Sequence, residues 1–385
     1  MVDERNVPEG WGIKKLSEVA PLQRGFDLPT GKIKKGSYPV VYSNGISNYH
    51  SEFKVKGPGV ITGRSGTIGK VHYADDNYWP HNTALWVTDF KENNPRFIYY
   101  LYTYVNLEKF ASGSGVPTLN RNDVHSFEVL VPSCSEQKAI AEALSDTDNL
   151  IQSLEKLIDK KKKIKQGAMQ QLLAGKKRLP GFSGEWSKVK VKDIGYAYGG
   201  LSGKSKSDFD GGNKPYITFL NVMNNTIIEI SSLRYVSVKS SESQNRVSTG
   251  DLLFNTSSET PEEVGMCSVL LGEIDELYLN SFCFGFRIYD QNLFDPLYLA
   301  YFFRSNEGRK LFFSLAQGAT RYNLSKNLFY KIEFKHPIIQ EQKAIAQVLS
   351  DMDAEIEALE EKLEKYKTIK QGMMQELLTG RIRLI

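Results

Sequence analysis

At 385 residues the chain is long enough for two or three domains with ample core. Its 41% hydrophobic and 24% charged content excludes wholesale disorder, and a net charge of +4 permits an anionic partner without demanding one. No run of about 18 apolar residues occurs and MVDERNVPEGW has no apolar signal core, so we expect a cytoplasmic protein with no membrane association. The three cysteines (Cys134, Cys267, Cys283) show no CxxC pairing and cannot build a disulfide framework.

In chain order, a first module opens with Trp11 in EGWGIKKLSEVA. Strand-like runs follow at 38–42, 59–62, 70–74 and 83–90, separated by Asn44-Gly45, Arg64-Ser65-Gly66-Thr67 and Asp75-Asp76-Asn77. Asn94-Pro95 supplies an N-cap and a proline at the first helical position, predicting a helix through FIYYLYTYVNLEKF. Phe97, Tyr100, Leu101, Tyr104 and Phe110 recur there at helical spacing, which points to core packing rather than base stacking.

Residues 135–178 then predict one long helix, with apolar Ile140, Leu144, Ile151, Leu154, Ile158 and Leu172. Thr147, Lys161 and Lys165 interrupt this seam, and the run Lys160–Lys163 with Lys165 reads as a solvated helix face. RLPGFSGEW, 178–186, is a Pro/Gly stretch that supplies the hinge over 179–186. The second module opens with Trp186 and carries strand-like runs at 215–222, 251–256, 266–272 and 282–290, followed by Asp295-Pro296 and a second aromatic helix. A final helix over 340–385 has the steadier heptad seam: Ile345, Leu349, Met352, Ile356, Leu359, Leu363, Tyr366, Met373 and Leu377, broken by Lys370.

The two long helices are one sequence written twice. Residues 136–179 and 341–384 align without a gap, with roughly 26 of about 44 positions identical. The same register extends upstream through Pro132/Pro337, Glu128/Glu333 and Leu119/Leu324, whereas the modules between the landmarks diverge almost completely. The organisation is therefore module (1–134), helix (135–178), hinge (179–186), module (187–339), helix (340–385). A helix of about 40 residues is on the order of 60 Å long, while an eight-residue hinge reaches at most ~28 Å. The second module must then begin near the far end of the first helix, and the second helix must run back along it. We expect an α+β chain: two small mixed modules and two long antiparallel coiled-coil helices, related by an internal pseudo-two-fold repeat.

The doubled pattern EQKAIA…LSD.D…LE…IKQG.MQ.LL.G..RL, each time behind a divergent module opened by tryptophan, resembles the DNA-specificity subunit of Type I restriction–modification systems. The hinge RLPGF.GEW is similar to that family's passage into its second module. The resemblance implies two target-recognition domains, each reading one half of a split, asymmetric site on double-stranded DNA. It implies helices that act as a spacer and as the docking surface for two methyltransferase subunits, through positions such as Ile140, Leu144, Ile151, Leu154, Ile345, Leu349, Ile356 and Leu359. Motor and endonuclease subunits would join for cleavage. S-adenosylmethionine would belong to the methyltransferase partners, leaving no cofactor, metal or catalytic residue in this chain.

Physical chemistry narrows the readers of DNA. Phosphate contacts supply affinity and base-edge contacts supply discrimination. In the first module the loop Gly63–Lys70 is the leading candidate: Arg64 for guanine, Ser65 and Thr67 for phosphate or base, and Gly66 and Lys70 beside phosphate. The same stretch also reads as a tight hairpin, and it is not a Walker A loop. Ser43-Asn44 and His81-Asn82 are further polar tips, Asn44-Gly45 being equally a hairpin turn. In the second module Asn221, Asn255-Thr256-Ser257 and Asn280 occupy comparable strand ends, and Gly200–Lys204 parallels Gln23-Arg24-Gly25. Arg121 and Arg321-Tyr322-Asn323, just ahead of the long helices, are candidate phosphate clamps. If each module probes the major groove, the two should lie on one face of the duplex roughly one turn (about 34–36 Å) apart.

Two rivals remain. A coiled-coil scaffold organising protein partners without reading DNA shares the helices but leaves the divergence of the modules unexplained. A self-contained nuclease or methyltransferase lacks every expected motif: no Asn/Asp-Pro-Pro-aromatic tetrapeptide, no HExxH and no paired Cys/His spacing occurs.

Overall fold

The computed structural model describes residues 7–113, 115–316, 318 and 322–384. It divides into two compact units, 1–156 with 360–385, and 157–359. This division cuts across both long helices.

In the first unit the chain runs β1 (Gly12–Lys15), α1 (Leu16–Val19), β2 (Leu22–Arg24), β3 (Tyr38–Tyr42), β4 (Gly45–His50), β5 (Gly59–Gly63), β6 (Val71–Ala74), β7 (Trp79–Pro80), β8 (Ala84–Val87), α2 (Pro95–Val105), β9 (Ala111–Ser112), β10 (Thr118–Leu119), α3 (Arg121–His125) and β11 (Glu128–Val131), then enters α4 (Cys134–Leu172). A four-stranded antiparallel sheet, β2-β8-β5-β6, lies beside a three-stranded one, β4-β3-β7, in which β3 and β7 run parallel. The pair β1-β11 ties the start of the module to its end.

The second unit contains the remainder of α4, then β12 (Ser187–Lys190), α5 (Val191–Ile194), β13 (Gly195–Gly199), β14 (Lys214–Ile217), α6 (Phe219–Asn224), β15 (Arg234–Val236), β16 (Leu252–Asn255), β17 (Ser257–Ser258), β18 (Cys267–Val269), β19 (Tyr278–Leu279), β20 (Cys283–Ile288), α7 (Pro296–Arg304), α8 (Asn306–Phe313), β21 (Tyr322–Asn323), α9 (Lys326–Phe329), β22 (Glu333–His336) and the first half of α10 (Ile339–Leu377), whose second half belongs to the first unit. Its sheets repeat the first set: β13-β20-β16-β18, β15-β14-β19 with β14 and β19 parallel, and β12-β22. The α+β fold with an internal repeat is as the sequence predicts.

Local chemistry accounts for most boundaries. Asn94 Oδ1 accepts from the backbone N–H groups of Arg96 and Phe97, and Asp295 Oδ1 accepts from that of Tyr298. Both are N-caps followed by proline, placed as the sequence indicates. Phe97, Tyr100 and Leu101 are buried, so the aromatic stripe of α2 is core, although Tyr104 faces solvent. The run 215–222 is strand only as far as Ile217: it breaks at Thr218, whose Oγ1 accepts from Asn221 N–H and starts α6. The two uninterrupted 39-residue helices α4 and α10 are as expected, running from Cys134 and Ile339.

Within each unit the two long helices pair antiparallel. In the first, Asp148 of α4 meets Lys370 of α10 at 2.6 Å, and Glu136 meets Arg383 at 2.7 Å. In the second, Lys161 pairs with Glu355, Lys165 with Asp353, and Arg178 with Glu341. The lysines that interrupt the apolar seams are thus ion-paired across the helices, and Lys161 and Lys165 are not simply a solvated face. Tyr100 donates its hydroxyl to Asp148 and Tyr301 donates to Asp353, each at 2.7 Å, so the same Tyr-Asp-Lys group occurs in both units.

The doubled Glu-Gln of EQKAIA also acquires a role. Gln137 Oε1 accepts from Asn94 N–H and its Nε2 donates to the Pro132 carbonyl; Gln342 does the same with Asp295 and Pro337. Each glutamine locks the cap of its module's aromatic helix to the start of the long helix. Ile140 and Leu144 are buried in the first module's core beside Leu377 and Leu378, and Ile345 and Leu349 in the second's beside Leu172 and Leu173. Ile151, Leu154 and Ile356 are buried farther along, with Leu359 half-buried. The first heptads therefore belong to module cores as much as to a coiled-coil seam.

Candidate nucleic-acid interface

The first module gathers its predicted readers around one loop cluster. Thr83, between β7 and β8, is the hub: its carbonyl accepts from the N–H groups of Arg64 and Ser65, and its Oγ1 accepts from Ser43 N–H. Arg64 Nη1 donates to the Asn82 carbonyl at 3.3 Å. Asp27 accepts from Arg24 at 3.0 Å and from Asn82 Nδ2, which brings both predicted groups onto one carboxylate. The β3–β4 turn presents exposed Asn44 beside Ser43, which is itself buried, and exposed Gly66 lies close to Ser43. Thr67 sits farther round the loop, its carbonyl packed tightly on Gly63, and Lys70 is exposed at its end.

His81 stacks on Tyr42, with ring centroids 4.2 Å apart, and its Nδ1 lies 3.1 Å from Thr83 Oγ1. Burial is the main influence on this ring and lowers its pKa, against opposing contributions from the Leu28 backbone and from Asp27. The shift favours the neutral ring, which can both donate and accept hydrogen bonds. Arg121 opens α3, exposed and outside this cluster of contacts.

The second module repeats the backbone of this edge. Gly25 N–H donates to Ala84 and Gly200 N–H to Cys283; Phe26 donates to Pro80 and Leu201 to Leu279; His81 donates to Val41 and Asn280 to Ile217. Arg64 N–H donates to the Thr83 carbonyl as Thr256 N–H donates to that of Phe282, and Leu119 closes on Arg64 as Leu324 closes on Thr256. A side chain on Gly25 would strike the His81 carbonyl at 2.2 Å, and one on Gly200 would strike that of Asn280 at 2.1 Å. These glycines allow the backbone to pack this closely.

Several second-module candidates are used up by the fold. Asn221 is 3% exposed: its Nδ2 donates to the Glu229 carbonyl and its Oδ1 accepts from Glu229 N–H. Asn255 is fully buried, donating to the carbonyls of Ser257 and Glu263 and accepting from Met266 N–H. The Lys204 side chain is 5% exposed, paired with Glu242 and donating to the Ser237 carbonyl. Ser257 is buried in the β17-β21 pair opposite Asn323. A buried polar group must find its partners inside, and these have done so. Tyr322 packs against the core and Asn323 is exposed, while Arg321 lies outside the described residues. Half-buried Thr256 and Asn280 remain on the edge: Thr256 Oγ1 donates to the Phe282 carbonyl, and Asn280 Oδ1 accepts from Phe282 N–H.

Sequence reasoning missed Asp27, which orients two readers, and the exposed Phe282 and Leu220. An i,i+3 Arg-Asp spacing was the available signal for the first; nothing in the sequence distinguished the latter two from core residues. Among the described residues no group of three His, Cys, Asp or Glu side chains could hold a metal ion, and no helix is long and apolar enough to cross a membrane.

Two repeated modules, each with the same backbone pattern along its loop edge, define the class: a protein built from one duplicated module. The Type I restriction modification DNA specificity domain matches residues 8–166 and 183–368, and the chain belongs to that family. Its role is sequence-specific DNA recognition as a specificity subunit. It is 26% identical over 302 residues to the Type I restriction enzyme MjaVIII specificity subunit of Methanocaldococcus jannaschii, covering 74% of this chain and 70% of that one. It is 23% identical over 426 residues to a putative MjaX specificity subunit of the same organism, covering 98% and 95%. Among solved structures, an S subunit of a Type I system from M. genitalium matches with a TM-score of 0.64 at 16% identity over 98% of both chains. A chain from a study of complex assembly and conformational transition in the type I R-M system matches at 0.60 and 17%, over 98% of this chain and all of that one. These likenesses support the fold.

Proposed function

We propose that each module reads one half of a bipartite, asymmetric site on double-stranded DNA through its matched loop edge. In this reading Arg24, Asn44, Arg64, Ser65, Gly66, His81 and Asn82 face the first half-site, and Thr256, Asn280 and their neighbours face the second. The long helices set the separation of the modules and dock two methyltransferase subunits, which bind S-adenosylmethionine and transfer the methyl group. Restriction subunits with motor and nuclease activity join for cleavage. The chain itself carries out no chemistry and acts in the cytoplasm.

The observation that carries this reading is the matched pair of edges: one backbone hydrogen-bond pattern bearing different side chains. A scaffold would have no use for that difference. Co-expression with the methyltransferase subunits, followed by mapping of methylated positions, tests it. The expected motif has two unlike halves around unread base pairs; a continuous or perfectly symmetric motif refutes it. Salt-titrated binding adds a second test, since a scaffold would show no phosphate-dependent slope.

A further inference from the structure

The matched edges differ in chemistry at defined positions. Counting from the shared hydrogen bonds, Arg24 corresponds to Gly199, Arg64 to Thr256, Asn82 to Ser281 and Thr83 to Phe282. Two guanidinium groups and an amide in the first module are thus replaced by glycine, a threonine and a serine. Where the first has the small hub Thr83, the second presents a phenylalanine ring.

Phe282 is 54% exposed, although its neighbours Cys283 and Phe284 are buried. Its backbone is held by three bonds: Phe282 N–H donates to Asn280 Oδ1 at 2.9 Å, and its carbonyl accepts from Thr256 N–H at 2.9 Å and from Thr256 Oγ1 at 2.8 Å. The backbone that carries this exposed side chain is therefore held on both its N–H and its carbonyl. Leu220, 65% exposed, lies in α6 three residues beyond Ile217, whose carbonyl accepts from Asn280 N–H. The major groove offers one apolar feature that distinguishes bases, the C5 methyl of thymine.

We propose that Phe282 is a specificity-determining residue that reads a thymine methyl in the second half-site. This rests on the assignment of the matched edges as DNA-facing. The first module, with Arg24 and Arg64, reads hydrogen-bonding base edges; the second discriminates through apolar contact.

The test uses the complete complex with its methyltransferase subunits and a duplex carrying the motif mapped by methylation sequencing. Each thymine of the second half-site is replaced in turn by deoxyuridine, which removes only the methyl. One replacement should weaken binding about four-fold, the equivalent of about 0.8 kcal/mol for one buried carbon. In the F282A complex the same replacement should have no effect. A half-site without thymine, uniform indifference to deoxyuridine, or sensitivity that persists in F282A overturns the proposal. If R64A weakens binding while deoxyuridine does nothing, only the thymine assignment falls. If R64A and F282A both bind as the unaltered complex does at matched salt, the DNA-facing edges fall with it.

Discussion

Arg178→Ala tests the chemistry that closes the second unit. Glu341, at the start of α10, is fully buried, and its two oxygens accept from Arg178 Nε and Nη2. Arg178 Nη1 also donates to the Gly184 carbonyl at 2.6 Å, so one guanidinium ties the end of the first repeat and the turn before Trp186 to the start of the second. Removing it strands a carboxylate away from water, and breaking a buried pair in this way costs about 3–5 kcal/mol. For a unit of this size each kcal/mol moves the melting temperature by about 2–4 °C, so R178A should melt at least about 6 °C lower. The charge, not the shape, is the cause: the double variant R178M/E341M, apolar and similar in volume, should recover most of the loss. Calorimetric melting of the wild type, R178A and the double variant decides the matter. A loss below about 1 kcal/mol in R178A, or a double variant as unstable as the single, would refute the reasoning. The equivalent R383A should be milder, because Glu136 keeps a 3.0 Å bond from Trp11 Nε1, whereas Trp186 Nε1 has no acceptor among the described residues.

Three further outcomes follow. Burial is the largest single influence on Glu136 and raises its pKa, but the bonds from Arg383 and Trp11 outweigh it and hold the value below the ordinary one. Its stabilising contribution is therefore present above about pH 4.3 and lost as pH falls through the folded value, so urea midpoints of E136Q between pH 6 and pH 3 should fall less than those of wild type. Phe254 is fully buried, stacked on Phe284 at 5.1 Å with edge contacts to Phe303 and Phe329; F254A should cost about 3–5 kcal/mol in denaturant unfolding, and a loss under 1 kcal/mol would show that the cluster repacks. On DNA, R64A should cost the complex about 1–3 kcal/mol and relax one base position, whereas K70A should lower the salt slope by about one without changing base preference.

What the sequence discloses depends on how far a residue's partner lies along the chain. Helices α4 and α10, the caps Asn94 and Asp295, and most strands are written in neighbouring residues, so periodicity and capping find them. Thr218 hides inside an apolar run, and only its side-chain bond to Asn221 N–H three residues on turns that run into α6. Asn221 and Asn255 look like readers because they are polar at strand ends; their bonds to residues eight to eleven positions away, made only once the loop folds, take them out of solvent. Lys204 meets Glu242 across a still longer loop. Conversely, the cluster around Thr83 is assembled from four separate loops. The sequence named Arg24, Ser43, Arg64, Ser65, His81 and Asn82 one by one but could not show that they meet around Thr83 and Asp27.

The repeat allows a stricter test of how the modules are held. In the second unit the continuous stretch 176–185 carries Arg178 to the Gly184 carbonyl and brings Trp186 onto Gly175, where an added Cβ would sit 3.3 Å from the ring. In the first unit two separate segments, 381–384 and 7–10, do the same: Arg383 donates to the Glu9 carbonyl at 2.8 Å and Trp11 covers Gly380 at 3.4 Å. Val7 and Leu384 both pack against the first unit's core. By the repeat, Leu384 corresponds to Leu179 and Val7 to Phe182, so the same clasp is made from one continuous stretch in one unit and from two separate segments in the other. Joining Leu384 to Val7 through a few Gly/Ser residues and opening the chain between Pro180 and Gly181 exchanges the two situations. Such exposed loops tolerate permutation, and changing a loop's length costs only about 0.6 kcal/mol per doubling. The permuted chain should therefore melt within a few degrees of the parent and direct methylation to the same motif. If it is insoluble or loses the motif while R178M/E341M keeps it, then continuity of the hinge, rather than the arginine–glutamate clasp, holds the second module in place.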